Sequence, residues 1–139
     1  MNRRFFSCAT LVLCMLAVVG CGPSGPKLYQ IKGTVTREGR PVKYLYITFS
    51  PDDDGTKAVS VGASDKDGRF EMMIASTPGV YPGPHKIFCH DPLIDLGSKT
   101  STEPDYLACI KEYSPANSPL TINVDKNISN YELKLDPIK

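Results

Sequence analysis

The sequence predicts an all-β protein, a seven-stranded antiparallel Greek-key β-sandwich, on three observations. Beyond residue 27, apolar residues recur at every second position in short segments, the signature of half-buried strands. No stretch of that region sustains a 3.6-residue period. Twelve prolines and eleven glycines supply the punctuation that many short strands require.

The segments follow one another along the chain. Ile31, Gly33 and Val35 share one face of the first, with Lys32, Thr34 and Thr36 opposite. Leu45, Ile47 and Phe49 form the buried face of the second, and Tyr44, Tyr46 and Thr48 its back. Val59, Val61 and Ala63 mark the third, and Phe70, Met72 and Ile74 the fourth. His85, Ile87 and Cys89 give the fifth, Leu120, Ile122 and Val124 the sixth, and Tyr131, Leu133 and Leu135 the seventh. Alternation of this kind implies two sheets with one dry interface between them. The turns agree: Glu38-Gly39 separates segments one and two, and Asp65-Lys66-Asp67-Gly68 separates three and four. In the latter, aspartate side chains close Asx-type turns and Gly68 accepts a positive φ. Residues 91–119 have no evident periodicity, contain four prolines, and are too long for a plain hairpin loop.

Ahead of the sandwich lies a segment of different character. Met1-Asn2-Arg3-Arg4 is a short cationic head, followed by an apolar run from Phe5 to Val19 that only Ser7 and Thr10 interrupt. Charge, a short apolar run and small residues are the layout of a secretory signal. The run is shorter than the ~20 apolar residues of a membrane-spanning helix. Val18-Val19-Gly20-Cys21 resembles the lipobox of bacterial lipoproteins. That resemblance implies a signal peptide over 1–20 and an acylated Cys21 at the head of a 21–27 linker. The alternatives are ordinary cleavage and an uncleaved anchor. With two or more acyl chains the membrane would hold the protein stably, as an exported, lipid-anchored envelope component. Gly22 in place of the aspartate that retains some lipoproteins at the inner membrane favours the outer membrane or its periplasmic face.

Removing residues 1–20 leaves 119, enough for one domain over 28–137. Lys plus Arg falls from 16 to 14 against 15 Asp plus Glu, a formal charge of −1, with no basic patch to suggest nucleic acid. Of five cysteines, Cys21, Cys89 and Cys109 remain. If Cys21 is acylated, Cys89 and Cys109 are the pair left for a disulfide, which an oxidising compartment favours. The alternative is a buried free thiol at Cys89, since cysteine packs as a small hydrophobe.

Gly33-Thr34-Val35-Thr36, Gly39-Arg40-Pro41-Val42 and Ile47-Thr48-Phe49-Ser50-Pro51 together resemble the opening of carboxypeptidase-regulatory-like, transthyretin-like domains. Asp65-Lys66-Asp67-Gly68-Arg69-Phe70 and Pro82-Gly83-Pro84-His85-Lys86-Ile87 are similar to that family's third turn and strand-five approach. Tyr113-Ser114-Pro115, Ser118-Pro119-Leu120-Thr121 and Tyr131-Glu132-Leu133 recur in small lipoproteins built on the domain. The resemblance covers the whole mature chain and implies the sandwich. It departs at His85, where tyrosine is common, and at Cys89 and Cys109.

Catalytic and metal-binding patterns are weak. Asp65, Asp67 and Gly68 match the start of a calcium loop, but the register that should end in glutamate reaches Ser76. Asp52, Asp53 and Asp54 form a denser acidic group on a turn. His85 and His90 differ by an odd number and point to opposite faces of one strand, so no shared metal is expected. No Gly-x-Ser-x-Gly elbow is present. Lys32 alternates outward, which removes the buried lysine an internal isopeptide needs. These features predict a module that is not an enzyme, without cofactor or metal, that binds a protein or envelope-glycan partner through exposed Tyr44, Tyr46 and Phe88. The competing expectation is a small-ligand or carbohydrate binder, assisted by calcium.

Overall fold

The computed structural model describes Gly22 and residues 25–139; the leader segment 1–20 and Cys21 lie outside the described residues. The chain forms β1 (Ile31–Arg37), β2 (Arg40–Pro41), β3 (Tyr46–Pro51), β4 (Ser60–Ala63), β5 (Arg69–Glu71), β6 (Met73–Ile74), β7 (Thr77–Pro78) and β8 (Gly83–Cys89), then helix α1 (Pro104–Glu112), and finally β9 (Thr121–Val124) and β10 (Ile128–Lys134). Two sheets face each other. The large one runs β7-β6-β4-β3-β8-β9, and the small one runs β10-β1-β2 with β5 also paired to β1. Between them lie Ile31, Val35, Leu45, Ile47, Phe49, Met72, Ile87 and Leu135, none with any measurable exposure.

The alternating segments fall on strands, but the described chain has ten strands and not seven, and four differences from the sequence reading have physical causes. The first concerns direction. β9 and β10 flank the residue 125–127 turn but belong to different sheets, so β10 meets β1, which starts from the same end of the sandwich. Their pairing is parallel, from Ile31↔Ile128 to Thr36↔Lys134, and the sandwich is therefore not wholly antiparallel. A bulge between Ile31 and Gly33 offsets the register by one residue of β10.

The fourth segment is not one strand. Arg69–Glu71 pairs with β1 in the small sheet, and Met73 pairs with Val61 in the large one. The chain crosses between the sheets at Met72, whose N–H donates to Ile31 and whose carbonyl accepts from Gly79.

That crossing inverts β4. Ser60, Gly62 and Ser64 face the core, while Val59 and Val61 are exposed, the reverse of the alternation read from the sequence. Gly62 lies under the crossing chain. A Cβ there would sit 2.8 Å from the Glu71 carbonyl oxygen and 2.9 Å from Met72 Sδ, so no larger residue fits. The two serines are tied internally. Ser60 Oγ donates to the Gly79 carbonyl; Ser64 Oγ donates to Val42 and accepts from the Leu45 N–H. Their hydroxyls are satisfied, which makes their burial inexpensive.

The fourth difference is α1, in the stretch without evident periodicity. Pro104 opens it at the first turn, a position where the missing N–H costs nothing. Tyr106 and Cys109, three residues apart, are buried on its inner side, and Tyr113, four residues further on at the helix end, is buried with them. Arg37 fastens this helix to the sandwich. Its side chain is 7% exposed and donates to both Glu112 carboxylate oxygens at 2.9 and 3.1 Å and to the Leu135 carbonyl at 2.8 Å. Outside this, Arg40 donates to both oxygens of Asp105. Beyond β8, the edge is closed by the returning chain: Cys89 N–H donates to Tyr113 and Ile87 N–H to Leu120.

Candidate interaction surface

Strand register determines which side chains share the outer face of the large sheet. Met73 pairs with Val61, Val61 with Thr48, and Thr48 with Phe88. Directly paired residues point to the same side of a sheet. Met73, Val61, Thr48 and Phe88 therefore form one row across β6, β4, β3 and β8. Tyr46 opposite Ala63 flanks the row on one side. Val61 is 38% exposed and Val59 45% exposed, while Met73, Tyr46 and Phe88 are half-buried. The result is a partly exposed apolar band around a buried threonine, Thr48.

The predicted contact residues thus divide. Tyr46 and Phe88 stand on this face as the alternation implied. Tyr44 does not belong to the strand: it occupies a bend before β3 with φ of 57°, and it is 52% exposed. Val59, Val61 and Met73 were missed, because a valine repeat reads as core unless the small residues between it are seen to face inward. A further exposed apolar group, Leu93, Ile94 and Leu96, follows the end of β8. Asp91 holds that segment by accepting from Leu93 N–H, Thr100 N–H and Thr100 Oγ. Burial raises the Asp91 pKa, but the hydrogen bonds from Thr100 and Leu93 outweigh it and hold the carboxyl at about 2. The buried Tyr106 hydroxyl lies beside it, outside hydrogen-bonding geometry.

The outer face of the small sheet has the opposite character. Arg69 pairs with Thr34, which pairs with Glu132 on its other side; Thr36 lies beside Lys134. Long charged side chains thus flank short threonines on the central strand. A trough of about 500 Å³ runs between Lys32, Thr34, Arg69, Glu71 and Asn130, continuing past Thr36 and Glu132. Lys32 and Glu71 are ion-paired at 3.3 Å across its end.

Groups considered for chemistry are held structurally. Asp65 Oδ1 accepts from the Asp67 and Arg69 N–H groups, with Gly68 at φ of 76°, as a closed Asx turn. Asp53 accepts from the Gly55 N–H. Among the described residues no group of three or more His, Cys, Asp or Glu side chains is placed to hold a metal ion. His90 stands at the surface, 3.7 Å from Asp95.

His85 is 1% exposed, with Nδ1 2.9 Å from the Gly83 carbonyl and Nε2 without a partner. Burial lowers its pKa, the Gly83 contact opposing only in part. A folded-state pKa below the usual 6.5 means that the unfolded chain takes up the proton first. The contribution is complete above pH 6.5 and declines as the pH falls through the lowered value. Urea melts at pH 7 and pH 5 should show this loss, and His85→Gln should flatten the slope; an unchanged slope counts against the buried neutral imidazole.

Cys89 and Cys109 are free thiols, both fully buried, and not the disulfide expected from an oxidising compartment with Cys21 acylated; the alternative of a buried free thiol at Cys89 is the one seen. Cys109 occupies the inner side of α1, so both sulfurs pack as core atoms. Burial pushes the Cys89 thiol up, and pushes Cys109 up to about 11 despite the neighbouring Arg37 guanidinium. Neither presents a reactive thiolate at neutral pH. Alkylation without reductant should label neither in the native protein and both after denaturation, as read by intact mass. A denatured, unreduced sample that resists label would restore the disulfide.

The fold and this face together define a two-sheet β-sandwich with a partly exposed apolar band on the outer face of its large sheet. No protein-family model and no curated protein matches the chain. Among solved structures, the chain is similar to a DUF3823 family protein from Parabacteroides merdae, with a TM-score of 0.46 and 12% sequence identity. The alignment covers 79% of this chain and 46% of that one, so this chain spans about half the length of that relative.

Proposed function

We propose that this chain is a lipid-anchored extracytoplasmic module of the carboxypeptidase-regulatory-like, transthyretin-like kind, which docks a protein of the cell envelope and performs no catalysis. The observation that supports this reading best is the partly exposed Met73–Val61–Thr48–Phe88 row with Tyr46 beside it. Contiguous apolar surface on a small protein marks an interaction site more often than scattered single residues do. Cys21 supplies the membrane attachment on this reading, and Gly22-Pro23-Ser24-Gly25-Pro26 the spacer.

Two measurements test it. Cys21→Ser should abolish labelling by a palmitate analogue, and equal labelling would remove the anchor from the proposal. A photo-crosslinking residue at position 61 should give a defined adduct in intact cells, lost when Phe88→Ser is added, whereas a probe at position 32 should not give that adduct. Crosslinks of equal yield from both positions would sink the docking face.

A second reading rests on the polar trough of the small sheet. Its planar amide, guanidinium and carboxylate groups over a threonine floor suit a carbohydrate, bound with or without calcium. Cell-wall fragments should then bind the full chain and lose affinity in Arg69→Ala and Asn130→Ala. Binding unaffected by either change would discard this site.

A further inference from the structure

β10 is an edge strand whose open side is complementary to itself. It pairs with β1 alone. Leu135 donates its N–H to Thr36. Backbone direction alternates along a strand, so Leu133 also turns its backbone groups toward β1. The N–H and C=O groups of Glu132 and Lys134 consequently point to the open edge. Their side chains are exposed on the outer face, while Leu133 and Leu135 are buried in the core.

The open stretch is bounded at both ends. The bulge between the Ile128 and Tyr131 positions interrupts its start, and the Tyr113 hydroxyl donates to the Asp136 carbonyl beyond its end. Within it, a second copy of the strand can lie antiparallel about a two-fold axis in few registers. Glu132 opposite Glu132, or Lys134 opposite Lys134, places like charges together, which destabilises a cross-strand pair. Centring the axis on Leu133 instead sets each Glu132 opposite the other copy's Lys134. The same register makes these residues a hydrogen-bonded pair and Leu133 the non-hydrogen-bonded one, in agreement with the backbone parity.

We propose that two copies of this chain associate through β10, antiparallel about Leu133, joining their small sheets into one. The contact is isologous, as a two-fold dimer requires. Within one chain Lys134 Nζ lies 3.8 Å from Glu132 Oε2, an exposed pairing that the partner strand's opposite charges can replace. Edge charges commonly deter such pairing, most often as lysines. Here the alternation of sign makes the edge attract its own copy. The contact is short, so the dimer is weak, below the size of standard stable interfaces.

Sedimentation equilibrium of the full chain in detergent, from micromolar to near-millimolar concentration, tests the pairing. Wild type should follow a monomer–dimer equilibrium. Glu132→Lys and Lys134→Glu should each weaken it by roughly tenfold or more, and the two together should restore it, because opposite charges again face each other. Both positions are exposed, and unchanged circular dichroism confirms that the fold is retained. A wild type that stays monomeric throughout, single variants that dimerise as well as wild type, or a double variant without recovery would each overturn the proposal.

Discussion

Phe70→Ala is expected to destabilise the domain by about 3–5 kcal/mol, the usual cost of truncating a core phenylalanine. Phe70 is 5% exposed and sits on β5 opposite Gly33. The space it fills is shaped by its partner. A Cβ on Gly33 would lie 3.0 Å from Phe70 Cζ and 2.1 Å from the Tyr131 carbonyl oxygen, so the ring takes the room that the glycine leaves. Backbone on the other side prevents collapse into the void, which places the loss toward the upper end. Glu71, one residue along, faces solvent and pairs with exposed Lys32 at 3.3 Å. Glu71→Ala should change stability by less than ~0.5 kcal/mol. A small domain has only about 5–15 kcal/mol in total, so Phe70→Ala leaves it close to unfolding. Urea melts that show similar losses for the two variants would refute the register of β5.

Arg37→Ala should cost about 3 kcal/mol, the lower part of the range for breaking a buried ion pair, because Glu112 retains partial access to water. The change also leaves the Leu135 carbonyl without its side-chain donor. Its distinguishing mark is a changed acid response. The Arg37 hydrogen bonds hold the Glu112 carboxyl below its ordinary 4.5, burial opposing. A folded pKa depressed in this way stabilises the protein fully above pH 4.5, and the contribution is lost as the pH falls through the lowered value. Wild type should therefore lose stability below pH 4.5 more steeply than Arg37→Ala. Parallel pH profiles for the two proteins would show that the clamp is not what ties α1 to the sandwich.

Local alternation made the core legible at Ile31, Val35, Leu45, Ile47, Phe49, Phe70 and Ile87, because a strand buried on one side has few other ways to arrange its residues. It failed at β4, where Ser60, Gly62 and Ser64 face inward for reasons that lie elsewhere in the chain: the crossing at Glu71–Met72 leaves no room for a larger group at Gly62, and the two serines are hydrogen-bonded to Gly79, Val42 and Leu45. The same failure concealed half of the apolar outer face. Tyr46 and Phe88 were readable from their own strands, whereas Val61 and Met73 join them only through pairing. Parallel pairing of β1 with β10 was equally unreadable, since residues 97 apart, such as Ile31 and Ile128, leave no local trace of their contact. In α1 the spacing of Tyr106, Cys109 and Tyr113 was present, but a nine-residue helix opened by proline offers little pattern against its charged neighbours.

The parallel pairing of the first and last long strands has a mechanical consequence. The chain enters β1 at Ile31 and leaves β10 at Lys134, at opposite ends of the same ladder. Tension applied between the two chain ends therefore acts along the strands, and the rungs from Ile31↔Ile128 to Thr36↔Lys134 resist it together in shear instead of opening one at a time. Forced unfolding is governed by the rate of crossing that barrier, not by equilibrium stability. A sandwich of ordinary thermal stability built this way withstands pulling along its length far better than peeling from the β7 edge, where the pairing is only two residues long.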